Sequence, residues 1–131
     1  MKLKIFFTFC VLSILISCGD SKIYPTTDID VARAFIKDIL ENNYKDAKIF
    51  VLDEDVNNQY FELSKKEFGA KNKEELKKYK EADIIVNEIK QTNDSVTLVN
   101  FSNTFKKATK NEVKVVRVNG KWKVDLKHTF Q

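Results

Sequence analysis

At 131 residues, with 43% hydrophobic and 32% charged positions, the chain has the size and composition of one compact domain. Its formal charge of +4 includes Lys2 and Lys4 of a leading apolar segment; without residues 1–17 it falls to +2, which excludes the basic footprint of a nucleic-acid binder. Cys10 lies in that leading segment and Cys18 just after it, so the rest of the chain holds neither a disulfide nor a thiol for a His/Cys zinc site.

The apolar run from Ile5 to Ile16 covers twelve positions. A bilayer core of about 30 Å needs roughly 20 helical residues, so the run has the length of a signal peptide instead. Leu15-Ile16-Ser17-Cys18 resembles the lipobox of bacterial lipoproteins, with an aliphatic residue three positions before the cysteine and a small one directly before it. The resemblance implies removal of residues 1–17 as a signal peptide, with Cys18 diacylated by palmitate-like chains and left as the mature N-terminus. Two acyl chains at about 0.8 kcal/mol per buried methylene hold a protein stably on a membrane. Gly19 follows the cysteine and Asp20 comes one later, so the aspartate that signals inner-membrane retention in enteric bacteria is not at the position where it is read. Which membrane and leaflet stay open. The alternative is an ordinary secretory signal with an incidental cysteine, or an uncleaved anchor.

Residues 18–27, with the only proline at Pro25, form the lipidated N-terminus and a short tether; residues 28–131 form one α+β domain. Thr27 caps a first helix, with Asp28 and Asp30 at the positive end of its dipole. Val31, Phe35, Ile39 and Leu40, flanked by Ala32 and Ile36, make its apolar stripe, and Asn42-Asn43 ends it. A second short helix takes Tyr44, Ala47, Ile49, Phe50 and Val51 inward, with Lys45 and Lys48 outward. A third opens at Asp53-Glu54-Asp55 and carries Val56, Tyr60, Leu63 and Phe68 before Gly69. Asn72 caps a last helical stretch through Leu76 and Tyr79.

From Ala82 the period changes from about 3.6 to 2, and four strands are predicted at Asp83 to Gln91, Val96 to Phe105, Glu112 to Val118 and Lys121 to Lys127. Asn93-Asp94 joins the first two. Asn119-Gly120 is a two-residue turn, because a type I′ geometry needs positive φ at both positions. The last strand alternates: Trp122, Val124 and Leu126 face inward, while Lys121, Lys123, Asp125 and Lys127 face solvent. Helices followed by strands imply α+β, with the N-terminal helices packed on a four-stranded antiparallel sheet.

Three stretches carry a family resemblance beside the lipobox: Val31-Ala32-Arg33-Ala34-Phe35, Asn43-Tyr44-Lys45-Asp46-Ala47 and Val118-Asn119-Gly120-Lys121-Trp122-Lys123-Val124. They resemble the small bacterial lipoproteins of the domain-of-unknown-function 4878 type, in the nuclear transport factor 2-like superfamily. That likeness implies a curved sheet wrapped on helices into a cone with an inner cavity. It implies no single function, because the superfamily fold hosts enzymes, cargo binders and dimerisation modules.

Residue chemistry narrows the choices. Asp53, Asp55 and Asn57 match the start of a calcium loop, but Asn58 stands where its glycine is needed and Ser64 where its bidentate glutamate is needed. An acidic helix start is the better reading, and no metal or other cofactor is expected. His128, the only histidine, reads as a partly exposed strand-end residue. Asp83, Glu88 and Asp125 are the carboxylates considered for proton transfer, which needs a carboxylate among apolar walls; Asp125 falls on the lysine face. Tyr60, Tyr79 and His128 are the candidate pocket or rim residues. Residues 65–80 hold seven lysines against three glutamates, with Glu67/Lys71 and Glu74/Lys78 at i,i+4 spacing, which reads as a solvated face or a contact for anionic lipid. The expectation is a membrane-anchored envelope lipoprotein, periplasmic or surface-facing, with no enzymatic activity and a domain for binding or assembly. Its expected partners are the membrane, through Cys18, and a protein, including a second copy, or an apolar small molecule; the alternatives are a cavity binder of apolar ligands and an isomerase or dehydratase.

Overall fold

The computed structural model describes residues 22–128; the expected signal peptide (residues 1–17), Cys18, residues 19–21 and residues 129–131 lie outside the described residues. Thr27 caps the first helix, its hydroxyl accepting the Asp30 N–H at 3.1 Å, and α1 runs Asp28–Leu40. Its stripe of Val31, Ala32, Phe35, Ile36 and Leu40 is buried. Asn42 then adopts a φ of 56°, a left-handed conformation that Asn tolerates and that reverses the chain. Asn43 caps α2, Tyr44–Ala47, by accepting the Asp46 N–H.

Here the expected second helix stops short. A 3-10 turn over Lys48–Phe50 follows, Ile49 is left exposed, and Val51 becomes extended to form a parallel bridge with Val124. The Leu52 N–H donates to the Val124 carbonyl at 2.9 Å, so backbone pairing with an edge strand replaces helical bonding.

α3 spans Asp55–Gly69, and its buried face is not the expected one. Asn57 and Phe61 point into the core, Tyr60 and Phe68 are partly buried, and Val56 and Leu63 are each 46% exposed. The cause is a polar anchor: Asn57 Oδ1 accepts the Leu126 N–H at 2.7 Å in a fully buried bond, which fixes the helix's rotation. α4, Lys73–Lys80, is capped by Asn72, which accepts the Glu75 N–H at 2.8 Å.

Four antiparallel strands follow in the order β1-β2-β3-β4: Ile84–Asn93, Val96–Asn103, Asn111–Val118 and Lys121–Asp125. A register shift between Val86 and Glu88 bends β1, whose residues beyond it are exposed. The first turn sits at Asp94-Ser95, one residue later than expected, because the Asn93 side chain accepts the Ser95 N–H at 2.8 Å. Asn119 and Gly120, at φ 51° and 76°, make the second turn as expected.

β4 ends at Asp125, two residues early. The chain leaves the sheet because Asn57 takes the Leu126 N–H, and Leu126–His128 wind into a 3-10 turn. Asp125 is therefore not on a solvated face: it is 6% exposed, accepts the Lys127 N–H at 3.2 Å and lies 3.6 Å from Lys114, its cross-strand neighbour. Val31, Phe35, Ile36, Phe50 and Phe61 share one core with Val99, Val113, Val115, Trp122, Val124 and Leu126. Across that core, Thr97 donates its hydroxyl to Asp28 at 2.6 Å.

Candidate functional site

Two regions gather chemistry. The first lies where the segment preceding α1 crosses α1, α2 and β4. Lys22 reaches Asp38 at 3.2 Å and Asp46 at 3.0 Å. Asp38 is 3% exposed, and its second carboxylate oxygen is buried without a hydrogen-bond partner. Burial pushes its carboxyl above the ordinary carboxylate range, partly opposed by Lys22, whereas Asp46, on the surface, is held below that range by Lys22 and then Asn43.

Tyr24 pins the same segment. Its hydroxyl donates to the Trp122 carbonyl at 2.5 Å, and its ring packs on Phe50 with centroids 5.4 Å apart. Burial raises its phenol pKa. The Lys121 and Lys123 ammonium groups lie 5.5 and 5.0 Å from that ring. Lys123 also donates to the Ile49 carbonyl at 2.7 Å, and desolvation, then Lys121, lower its pKa. It is thus not the free solvent-facing lysine that strand alternation alone implies. Residues 22–27, read from the sequence as the end of a tether, lie strapped to the domain.

The second region is a cavity of about 210 Å³ among Ile39, Leu40, Phe68, Tyr79 and Phe101, with Lys71, Asn103, Lys106, Thr109 and Asn111 as polar members. Tyr79 packs on Phe68 at 5.1 Å and edge-on to Phe105 at 5.0 Å, with the Lys71 ammonium 5.7 Å from its ring. The lining contains no carboxylate and no imidazole. Its volume is below the roughly 300 Å³ at which ligand sites usually begin.

The three candidate rim residues do not meet. Tyr79 lines the cavity; Tyr60 is partly buried on α3 and packs against the core; His128 stands in the 3-10 turn after β4, with Nε2 2.6 Å from Glu112 Oε1. Asp53, Asp55 and Asn57 form no calcium cradle, since Asn57 is turned into the core. Among the described residues, no group of three or more His, Cys, Asp or Glu side chains could hold a metal ion. Nor is any helix there long and apolar enough to cross a membrane. In the lysine-rich segment Lys78 pairs with Glu74 at 3.0 Å as spacing suggests, but Lys71 turns to Glu75 at 3.5 Å instead of Glu67.

Sequence reasoning passed over Asp38, although a signal exists: Val31, Phe35 and Asp38 stand at i, i+4 and i+7, which places a carboxylate on the buried stripe. Nothing local marks Lys22 and Tyr24 as its covering residues. The chain matches no family, no curated protein and no solved structure with which it was compared.

Proposed function

We propose that this chain is a bacterial envelope lipoprotein, held on a membrane through diacylated Cys18, whose domain is a non-enzymatic binding or assembly module of the nuclear transport factor 2-like, cone-shaped kind. The observation that carries the reading is the strap. Directly after a lipobox-like cysteine, the first described residues are clamped to the domain by Lys22 and Tyr24, as suits a body held close to its anchor. The order of helices then a four-stranded sheet, with a cavity among α1, α3, α4 and β2, suits the cone and the resemblance to the 4878-type lipoproteins.

Binding fits the cavity better than catalysis does. Proton transfer needs a base at the reacting atom. The histidine is engaged by Glu112, Asp125 by Lys114, and Asp38 by Lys22, and none of them lines the Tyr79 cavity. A second reading, an apolar small molecule held at Tyr79, is favoured by the aromatic lining, and the volume of about 210 Å³ confines it to a ligand below drug size.

The test is Cys18→Ser in the full-length chain. The protein is expected to leave the detergent-extracted membrane fraction and to appear as unprocessed or soluble material. Retention of a Cys18→Ser protein lacking residues 1–17 in the membrane fraction contradicts lipid anchoring.

A further inference from the structure

We propose that the face formed by Ile23, Ile49 and Lys121 rests on the anionic headgroups of the membrane that holds the chain, an inference that depends on lipidation of Cys18. Reach comes first. Only residues 19–21 separate Cys18 from clamped Lys22. Whatever their conformation, that length of chain spans at most about 14 Å. Each headgroup layer takes up about 5 to 7 Å of it. The surface around Lys22 is therefore the part of the domain that must meet the lipid.

The chemistry of that surface matches the occupant. Ile23 is 92% exposed and Ile49 45% exposed, and both border a shallow groove of about 320 Å³ that also includes Tyr24 and Pro25. Two exposed branched apolar side chains beside a pinned tyrosine suit the boundary between headgroups and acyl chains. Lys121 and Lys123 lie over the Tyr24 ring, where they add positive charge beside the groove. Of the carboxylates of this region, Asp38 and Asp46 are held by Lys22, Glu41 lies 4.0 Å from Lys37, and Asp53, which acts on the Lys123 charge, accepts from the Asn58 side-chain amide at 3.0 Å. In the lysine-rich segment Lys71, Lys77 and Lys78 each face a glutamate four residues away, but Lys66, Lys73 and Lys80 add charge beyond those pairs. Reach from Cys18, and not charge alone, is therefore what singles out the face around Lys22.

The experiment uses the full-length chain, made with its signal so that Cys18 is acylated and any introduced cysteine is the free thiol. Ile23→Cys, Ile49→Cys, Leu63→Cys and Ile89→Cys are each labelled with an environment-sensitive dye and placed in phosphatidylglycerol/phosphatidylethanolamine vesicles containing a nitroxide-headgroup lipid. All four positions are exposed, so folding is not at stake. Quenching is expected at 23 and 49 and not at 63 or 89, and it should weaken in phosphatidylcholine. Lys121→Gln should shift the docked-to-free ratio at 23 by about fivefold, the weight of one basic residue at an anionic surface. Quenching at 63 or 89 in place of 23 and 49, or equal quenching at all four, overturns the proposal. Mass measurement on the same samples separates the two failures: no acyl adduct defeats the anchor and this inference together, whereas an adduct without quenching at 23 and 49 defeats this inference alone.

Discussion

Asp38 shows how much one side chain can decide. It sits on the buried stripe of α1, one oxygen on Lys22 and the other without a partner, so its ionised form is costly in the folded chain. Its carboxyl titrates above the ordinary value of 3.8, so the folded protein holds that proton more tightly than the unfolded one. Stability from this site is fully present below the unfolded value and is lost as pH rises through the raised one. Between about pH 7 and 4, the melting temperature of the wild type should therefore rise relative to that of Asp38→Asn. A gap that stays flat, or that moves toward the variant on acidification, contradicts the assignment. Tyr24 carries the other half of the strap. Tyr24→Phe keeps the ring on Phe50 and deletes the bond to Trp122, and should cost about 0.5 to 1.5 kcal/mol in chemical denaturation. An unchanged denaturation midpoint would mean that the segment does not hold to β4 in solution.

At the scale of elements, the junction between α3 and the end of β4 turns on one buried hydrogen bond. Asn57→Ala leaves the Leu126 N–H buried without its acceptor and should cost about 1 to 3 kcal/mol. The neighbouring Asn58→Ala, which loses an exposed bond to Asp53 and a part-buried one from Lys48 but leaves no buried backbone N–H without its acceptor, serves as its comparison. Equal losses from the two would show that the buried bond adds nothing. Trp122→Ala should cost about 3 to 5 kcal/mol, since it empties a core position, while exposed Lys121→Ala should stay within about 0.5 kcal/mol. Similar melting temperatures would place the faces of β4 the wrong way round. These same residues show what was readable. Thr27, Asn72 and Asn119-Gly120 act through local backbone chemistry, and each appears in the structure where the sequence puts it. The α1 stripe was readable because its apolar residues repeat every three or four positions. The rotation of α3 was not, because a single long-range bond from Asn57 outweighs the modest preference of Val56 and Leu63 for burial. The early end of β4 and the burial of Asp125 follow from that same bond, about seventy residues away in sequence. Of the candidate site, Tyr79 was visible as an aromatic on a helical stripe. The clamp of Lys22 on Asp38 and Asp46 was not, since its partners lie sixteen and twenty-four residues away with no pattern linking them.

In the whole molecule a short apolar N-terminal run and a cysteine precede a strapped segment and a small α+β domain whose described residues hold no cysteine. Stability must come from the one core shared by helices and sheet, while location is assigned to Cys18 by the proposed lipidation. If Cys18 is lipidated as proposed, the domain works at a membrane surface, where confinement raises its encounter rate with other membrane-held partners without tight intrinsic affinity. Everything in that picture depends on the chemistry at one sulfur. The most direct measurement is the intact mass of the protein extracted from bacterial membranes, together with fragmentation of its N-terminal peptide. The expected product is a chain that begins at Cys18 and carries a diacylglyceryl group on the Cys18 sulfur; a mature chain with a free Cys18 thiol, or one that still begins at Met1, would overturn the lipoprotein reading.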